Sequence, residues 1–328
     1  MPVTSPAEWS FPASQTPQSS ASIAALGPLA TLGRDQRVTD VFVVADGRVF
    51  ADRGSGTQLV NDLHLPPTDA IAFARALIEA GGRHLDDASP VVDVRLGPGV
   101  RVHAALPPVA LGGATVSIRF SRTHKVDLSE LNIAWEGTQR ERLLAAVARY
   151  ETVLISGSTG SGKTTLLGAL LARASPRDRI VVLEDVAELD IDHPHVVQLE
   201  CRQANIEGVG EIPLDRLVRE SLRMRPNRLV VGECRGAELR DLLSALTSGH
   251  RGGASTIHAT SVELLPERME ALAMLAGLTP SQVARQVAAA FDLVVHISAG
   301  EGGVRRVELG TFMVGSSGEL VVKHIPTG

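Results

Sequence analysis

A short apolar run, Thr152-Val153-Leu154-Ile155, leads directly into the stretch that decides the fold, Gly157-Ser158-Thr159-Gly160-Ser161-Gly162-Lys163-Thr164. Glycines let a loop curl tightly enough for successive backbone N–H groups to point inward and hold a phosphate. A helix predicted from Thr164 to Ala174 begins at the loop, and its positive N-terminal end favours the same anion. The G-x-x-x-x-G-K-T pattern between a strand and a helix therefore predicts a Walker A phosphate loop.

This loop predicts a nucleoside triphosphate as ligand, with ATP and Mg²⁺ as the expected pair. Lys163 is expected to reach the β- and γ-phosphates, and the hydroxyl of Thr164 to ligate Mg²⁺. The predicted phosphate-binding set is Gly157, Ser158, Thr159, Gly160, Ser161, Gly162, Lys163, Thr164 and Thr165.

Beyond the loop, strand-like and helix-like segments alternate. The apolar runs Ile180–Leu183, Leu229–Val231 and Ser255–Ile257 are separated by segments with helical spacing. Such alternation is typical of a parallel sheet covered by helices, so the fold class predicted for this part is α/β. Three further strands, ending near His324, are expected at the C-terminal end.

The rest of the chain suggests three additional regions. Residues 1–29 are rich in Ser, Pro and Ala and are expected to form a disordered tail. Residues 30–122 contain strand patterns, a tight Asp46-Gly47 turn and one helical segment, which predicts a smaller α+β domain. Residues 123–137 are expected to be a linker, and 138–328 the phosphate-loop domain.

Composition excludes several classes of protein. The net charge of the 328 residues is −5 and aromatic residues make up 3%, which argues against a general nucleic-acid binder. The two cysteines, Cys201 and Cys234, lack metal-ligand spacing, which favours reduced thiols in the cytoplasm. No run approaches the length needed to cross a bilayer, and no basic residue precedes Arg34, so neither a membrane span nor a signal peptide is expected.

Acidic residues follow two of the predicted strands. Glu184 and Asp185 follow the first, with Glu188 four residues after Glu184, and Glu233 follows the second. Ligands bind at the carboxyl ends of parallel strands, so these acids could activate water or hold Mg²⁺. The candidates for binding the metal, mostly through water, are Thr164, Glu233 and Asp185. A solvated acidic loop and a helix cap are the alternatives.

Two histidines flank the strand Ser255–Ile257. His250 precedes it and His258 follows it, and both are expected on the same sheet edge as the acids, where they could sense the γ-phosphate. A structural hydrogen-bonding role is the alternative for each. Among the arginines, Arg119 and Arg122 lie at the junction of the two predicted domains and are candidates for phosphate contact, with surface ion pairing as the alternative.

The order of these motifs resembles the secretion ATPase superfamily of type II and type IV secretion and type IV pili. The resemblance is carried by the loop, by Glu184 to Leu189, Leu222 to Pro226, Val231 to Gly236 and Thr256 to Ala259. Among its branches, the sequence is most similar to the CpaF-like tight-adherence (Tad/Flp pilus) and conjugal-transfer-associated ATPases, through segments that include Pro194 to Val197, Asn205 to Gly208 and Leu246 to His250. Cys234 departs from the pattern, which usually has a small aliphatic residue there.

The resemblance implies a RecA-like ATPase domain behind a smaller N-terminal domain, assembled as a homo-hexamer. It implies that nucleotide lies between the two domains, where Arg119 and also Arg101 or Arg122 would reach the phosphates. It further implies a cytoplasmic motor at the inner face of the membrane. This motor would act on inner-membrane platform proteins, touch the membrane only through them, and bind no nucleic acid directly.

Two rival functions remain open on sequence grounds. A ring ATPase that translocates nucleic acid would show DNA-stimulated turnover and steep salt dependence. A nucleotide-gated scaffold would bind ATP with little hydrolysis, against which the full set of acids argues.

Overall fold

The computed structural model describes residues 20–54, 56–97, 99–120, 126–202, 209–300 and 304–326. The chain divides into two compact units, residues 1–123 and 124–328. Each has its own hydrophobic core.

The first unit is an antiparallel sheet with helices packed on it. Its strands are β1 (Asp40–Val43), β2 (Arg48–Asp52), β3 (Thr57–His64), β4 (Val91–Gly97), β5 (Val100–Ala105) and β6 (Thr115–Phe120), in the order β3-β2-β1-β6-β5-β4. Its α-helices are α1 (Ser20–Ala25), α2 (Ala30–Arg34) and α3 (Pro67–Ala80), with a 3₁₀ turn at Gly27–Leu29. Ala70, Ala74 and Leu77 recur at helical spacing and bury one face of α3 in the core.

The predicted turn between β1 and β2 depends on Gly47. Its φ is 86°, and a Cβ there would lie 1.8 Å from the carbonyl oxygen of Leu65. Only glycine tolerates both the left-handed backbone and this close approach.

The disordered tail predicted for residues 1–29 is wrong for its last ten residues. Residues 20–25 and 27–29 are helical, and Leu26 and Leu29 are fully buried in the first core. Apolar residues three apart bury one face of this segment. This spacing indicates a buried helix, although the Ser- and Ala-rich composition suggests disorder. Residues 1–19 lie outside the described residues.

The second unit is built on a mostly parallel sheet. The strands are β7 (Ile133–Ala134), β8 (Val153–Gly157), β9 (Ile180–Glu184), β10 (Val196–Glu200), β11 (Arg228–Val231), β12 (Ala254–His258), β13 (Leu293–Ala299), β14 (Arg305–Val314) and β15 (Leu320–His324). Their order in the sheet is β10-β9-β11-β12-β8-β13-β14-β15, with β7 paired to β14. The helices are α4 (Gln139–Ala148), α5 (Lys163–Leu171), α6 (Leu214–Ser221), α7 (Glu238–Thr247), α8 (Leu265–Leu275) and α9 (Pro280–Ala290). The predicted α/β class is confirmed.

Alternation along each central strand explains why these strands are apolar throughout. Val181 and Leu183 pack on the side of α6 to α9, whereas Ile180 and Val182 pack on the side of α4 and α5. Helices cover both faces, so side chains pointing either way are buried. The strands from β10 through β13 run parallel and therefore end at one edge of the sheet.

The linker predicted for residues 123–137 is wrong over its described part, residues 126–137. Leu128 is fully buried in the core of the second unit, and Trp135 packs against the same core. This segment is a packed part of the second unit because its spaced apolar side chains bury together, although polar residues separate them. Residues 123–125 lie outside the described residues.

Candidate functional site

The predicted phosphate loop joins β8 to α5. Gly160 and Gly162 have φ angles of 76° and 97°, which L-amino acids with a Cβ rarely adopt. A Cβ on Gly157 would lie 2.3 Å from the carbonyl oxygen of Ile297 and 2.6 Å from Ser161 Oγ. The glycines are therefore required by backbone conformation and by close packing, as expected of a loop that wraps an anion.

Lys163 is the first residue of α5 and is almost fully buried. Its Nζ donates hydrogen bonds to the carbonyl oxygens of Gly157 and Ser158, at 2.9 and 2.8 Å. Burial lowers the pKa of Lys163 below its usual value, and the nearby charge of Glu233 opposes that shift. The ammonium thus lies against the loop backbone, where a phosphate would be held.

His258 joins this lysine to Glu233. Lys163 Nζ lies 3.1 Å from His258 Nδ1, and His258 Nε2 lies 2.9 Å from Glu233 Oε1. An ammonium has only donors, so Nδ1 must accept and Nε2 must carry the ring proton that faces the carboxylate. The contacts therefore assign one neutral tautomer to His258, polarised between a cation and an anion.

The other oxygen of Glu233 is held by Arg235. Arg235 Nη2 lies 2.8 Å from Glu233 Oε2, and its Nη1 lies 3.9 Å from Asp185 Oδ2. The charges alternate in sign from Lys163 through Glu233 and Arg235 to Asp185. Arg235 was absent from the predicted site, although it lies in one of the motifs that suggested the family.

Glu184 differs from Glu233 in its surroundings. Its Oε1 accepts two hydrogen bonds of 3.0 Å, from the backbone N–H groups of Glu188 and Leu189. Its Oε2 is buried without a hydrogen-bond partner among the residues that the structure describes. Burial raises the pKa of Glu184 to about 7, against the lowering effect of those two N–H groups.

A glycine makes room for this carboxyl group. A Cβ on Gly232 would lie 2.6 Å from Glu184 Cγ, so β9 and β11 approach closely where both strands end. Glu188 contributes its backbone N–H, and the charge of its side chain raises the pKa of Glu184 further.

The structure brings Lys163, Glu184, Glu233 and His258 to one edge of the sheet, as expected for residues at the ends of adjacent parallel strands. Thr164 and Thr165 lie in the first turn of α5, and Asp185 is exposed beside Arg235. The catalytic and metal-binding roles predicted for these residues stay predictions.

His250 is not at this edge. It precedes Ala254, where β12 begins, whereas His258 is the last residue of the strand. At about 3.3 Å per residue the two ends of a five-residue strand are ~13 Å apart. The expectation that both histidines lie beside the acids is therefore wrong, because a strand carries its two flanking residues to opposite edges of the sheet.

The predicted arginines belong to the first unit. Arg101 and Arg119 are cross-strand partners on β5 and β6. Arg119 Nε lies 2.9 Å from Asp40 Oδ1, and Arg101 Nη2 lies 3.4 Å from Asp93 Oδ1. Arg122 and the segment Asn205 to Gly208 lie outside the described residues. Contact between these arginines and nucleotide stays a prediction.

Two contacts near the loop were not predicted. Arg305, at the start of β14, donates from Nε to the carbonyl oxygen of Ser161 at 2.7 Å. His296 on β13 is buried behind the loop, with Nδ1 2.9 Å from Ser156 Oγ, and burial lowers its pKa. Both come from strands more than 130 residues later in the chain, so no local motif indicates them.

The sheet order and the glycine loop define a P-loop NTPase with a RecA-like core. The family described as "Type II/IV secretion system protein" matches residues 37–298. The chain belongs to this family and is an ATPase, so the predicted superfamily is confirmed.

The chain is similar to named relatives over most of their length. It is 45% identical over 279 residues to a protein named for conjugal transfer in Mycobacterium tuberculosis (strain ATCC 25618 / H37Rv), covering 82% of this chain and 79% of the relative. It is 32% identical to conjugal transfer protein TrbB of Rhizobium radiobacter, covering 83% and 82%. It is 30% identical to type IV secretion system protein VirB11 of Brucella suis biovar 1, covering 84% and 85%.

Solved structures share the fold. The ATPase DotB of Legionella pneumophila matches 90% of this chain and 82% of its own, with a TM-score of 0.62 and 19% identity. The pilus retraction motor PilT with bound ADP matches 88% of this chain and 80% of its own, with a TM-score of 0.59 and 18% identity. At these identities the likeness supports the architecture alone.

Proposed function

We propose that this ATPase hydrolyses Mg²⁺-ATP as the homo-hexameric motor of a membrane-embedded pilus or secretion machine. The observation that carries the chemistry is the convergence of Lys163, His258, Glu233 and Glu184 at the edge of the sheet where the glycine loop begins. The named relatives, of conjugal transfer and type IV secretion, support the kind of machine. Within that range we propose the tight-adherence pilus branch, on the motifs of the sequence.

The residues present fit a triphosphate and a divalent metal. Ser161 Oγ and Glu184 Oε2 are buried polar atoms without partners among the residues described. The positive φ angles of Gly160 and Gly162 form a backbone cradle beside a buried lysine. Thr164, and through water Glu233 and Asp185, would hold Mg²⁺, which when bound neutralises charge on phosphate oxygens.

Two carboxylates share the work of activating water in this proposal. Glu184 has an unpartnered oxygen and a pKa raised to about 7 by burial, a value suited to accepting a proton near neutral pH. Glu233 is coupled through His258 to Lys163, so a charge that draws Lys163 away from the loop carbonyls weakens the contacts of Glu233 as well. His258 thereby links the state of the phosphate loop to the acid.

The proposed site of action is the cytoplasmic face of the membrane, on inner-membrane platform proteins and without direct nucleic-acid contact. Among the described helices, none is both long and apolar enough to cross a bilayer. In this proposal the platform proteins make the membrane contact.

Phosphate release by the purified full chain tests the enzyme. The parent protein should hydrolyse ATP only with Mg²⁺, and Lys163→Ala should abolish turnover. Glu233→Gln should keep ATP bound and slow turnover by about 10²–10⁴-fold, the usual contribution of a positioned acid or base. Parental turnover in Glu233→Gln would show that the assignment of this residue is wrong.

Assembly and partner need separate measurements. Sedimentation with Mg²⁺ and ATP should give a particle of about six chains. Turnover that rises with added DNA and falls steeply with salt would favour a nucleic-acid motor instead.

The pilus branch is tested by deleting the chromosomal gene. The deletion should remove surface pili, with plasmid-borne wild type and Lys163→Ala as controls. Intact pili together with lost conjugative transfer would contradict the pilus branch.

A further inference from the structure

Arg305 packs against the backbone of the phosphate loop. Its Nε donates to the carbonyl oxygen of Ser161 at 2.7 Å. A Cβ on Gly162 would lie 2.9 Å from the same nitrogen and 3.6 Å from the guanidinium carbon. The guanidinium therefore contacts the Ser161 carbonyl and lies close to Gly162, the next residue.

Strand pairing fixes the position of the Arg305 backbone. Arg305 is paired with Ala299 of β13 and with Ile133 of β7, and its backbone N–H donates to Asn132 at 2.9 Å. A residue paired on both sides has little freedom to move away from the loop. The contact with Ser161 thus joins the loop to strands that begin far along the chain.

The charge of Arg305 has no acidic partner in the described part of the chain. The ion pairs found there occupy other arginines, including Arg228 and Arg235, and none includes Arg305. A guanidinium has five N–H donors, of which this contact uses one. The loop therefore has a second cation beside it, in addition to Lys163.

The hydrogen bond from Arg305 to the Ser161 carbonyl also orients the N–H of Gly162. A trans peptide is planar, with C=O and N–H pointing in opposite directions. Holding the carbonyl of Ser161 toward Arg305 therefore turns the N–H of Gly162 away from Arg305, the direction in which a phosphate held by the loop would accept it. Gly162 has a φ of 97°, so its conformation differs from that of the helix that follows. The hydrogen bond from Arg305 to Ser161 helps to stabilise this conformation.

We propose that Arg305 is a positioning residue for nucleotide binding, which orients the Ser161–Gly162 peptide and adds positive potential at the phosphate loop. The inference rests on the proposed binding of Mg²⁺-ATP at this loop. It concerns a residue on β14, outside the loop and outside the acids at the strand ends.

Three variants of the full chain test it. Arg305→Met keeps the aliphatic stem and removes the donor and the charge, and should raise KM for Mg²⁺-ATP about ten- to hundredfold, the range expected for losing one hydrogen bond to a charged group. Its kcat should stay within about threefold, since the acids are untouched. Arg305→Lys keeps a charge and a donor and should recover at least half of the loss on a logarithmic scale.

Arg306→Met is the matched control. Arg306 is the next residue of β14, is exposed and points to the opposite face, so its loss should leave KM unchanged. Binding of fluorescent ADP with Mg²⁺ should show the same ranking without turnover. The melting temperature without nucleotide separates a folding defect from a binding defect, because Arg305→Met should lower mainly the additional stabilisation by ADP.

The outcomes separate this inference from the proposed function. Normal KM and ADP binding in Arg305→Met, with binding lost in Lys163→Ala, would overturn the role of Arg305 and leave the ATPase assignment intact. Equal losses in Arg305→Met and Arg306→Met would also overturn it, since surface charge would then explain both. A parent protein that binds no nucleotide would overturn the proposed function itself.

Discussion

The two edges of the larger sheet use buried ionisable groups differently. At the amino edge, where β11 begins, Arg228 and Asp178 form an ion pair of 2.7 Å, with only 2% and 4% of their side chains exposed. The guanidinium also donates to Val147 and Gly252, and Tyr150 donates to the remaining oxygen of Asp178 at 2.6 Å. Arg228 lies over the Tyr150 ring, 4.3 Å from its centroid.

At the carboxyl edge the same sheet leaves polar atoms without partners. Glu184 Oε2 and Ser161 Oγ are buried and make no hydrogen bond to the described residues, and Glu233 is held only by partly exposed side chains. A buried polar group without a partner costs stability, and a ligand bound at the glycine loop would supply partners for Glu184 Oε2 and Ser161 Oγ. At the amino edge the Arg228–Asp178 pair is satisfied, although Arg179 Nε and His250 Nδ1 near that edge are also buried without hydrogen-bond partners among the described residues. What distinguishes the carboxyl edge is that its unpartnered atoms lie beside the glycine loop, where a ligand would reach them.

Breaking the amino-edge pair should give the largest loss of stability. Asp178→Ala leaves Arg228 buried and uncompensated, and should lower the free energy of unfolding by about 3–5 kcal/mol. Urea denaturation measures it. Replacing both partners, in Asp178→Leu with Arg228→Met, should recover a large part of the loss; a double variant as unstable as Asp178→Ala would contradict this reading of the pair.

Neutralising Glu184 should increase stability at high pH, whereas breaking the Arg228–Asp178 pair decreases it. Its pKa is raised by burial from 4.5 to about 7 in the folded chain, so the native state binds more protons between these values. The stability of the parent protein should therefore fall as pH rises through this window, by at most about 3 kcal/mol. Glu184→Gln does not titrate there and should lose this pH dependence.

Thermal melting without nucleotide, at about pH 5 and about pH 8, measures this effect. Glu184→Gln should gain on the parent protein at the higher pH and show little difference at the lower one. Turnover of the variant should be low at both. A constant difference between the two proteins across this range would contradict the raised pKa.

The two histidines that flank β12 allow the two edges of the sheet to be compared by their effect on turnover. His258→Ala removes the contacts with Lys163 and Glu233 and should reduce turnover at least about tenfold more than His250→Ala, since His250 lies at the amino edge. Steady-state phosphate release measures both. Equal losses would show that the amino edge takes part in turnover and that the comparison of edges is incomplete.

The smallest effect is expected for Tyr150→Phe. This change removes the hydrogen bond to Asp178 and keeps the ring beneath Arg228, so it should cost about 1 kcal/mol of stability. Turnover per folded molecule should not change. Denaturant melts together with turnover assays check both, and reduced turnover at equal folded fraction would contradict a purely structural amino edge.

Much of the fold could be predicted because the decisive signals are local. The loop from Gly157 to Thr164 identifies its own conformation, and apolar runs identify the parallel strands. The capping box at Thr279 and Gln282 is a local signal of the same kind, and it marks the start of α9. Residues 20–29 and 126–137 were misjudged because their polar composition was given more weight than the spacing of residues such as Leu26 and Leu128.

The site was predictable where it depended on strand direction. Glu184, Glu233 and His258 each end a parallel strand, so a single rule places them together. The same rule should have excluded His250, which precedes its strand. Arg305 and His296 could not be found this way, because their contacts with the loop depend on how distant strands pair.

The sequence by itself determined the phosphate loop, the α/β class, the family and the identity of the acids, because each of these depends on short runs and their order. Only the tertiary structure decided which charges touch. Strand pairing and burial set the tautomer of His258, raise the pKa of Glu184, place Arg235 on Glu233 and bring Arg305 to Ser161. These features depend on distance and dielectric environment, which a linear order of residues does not specify.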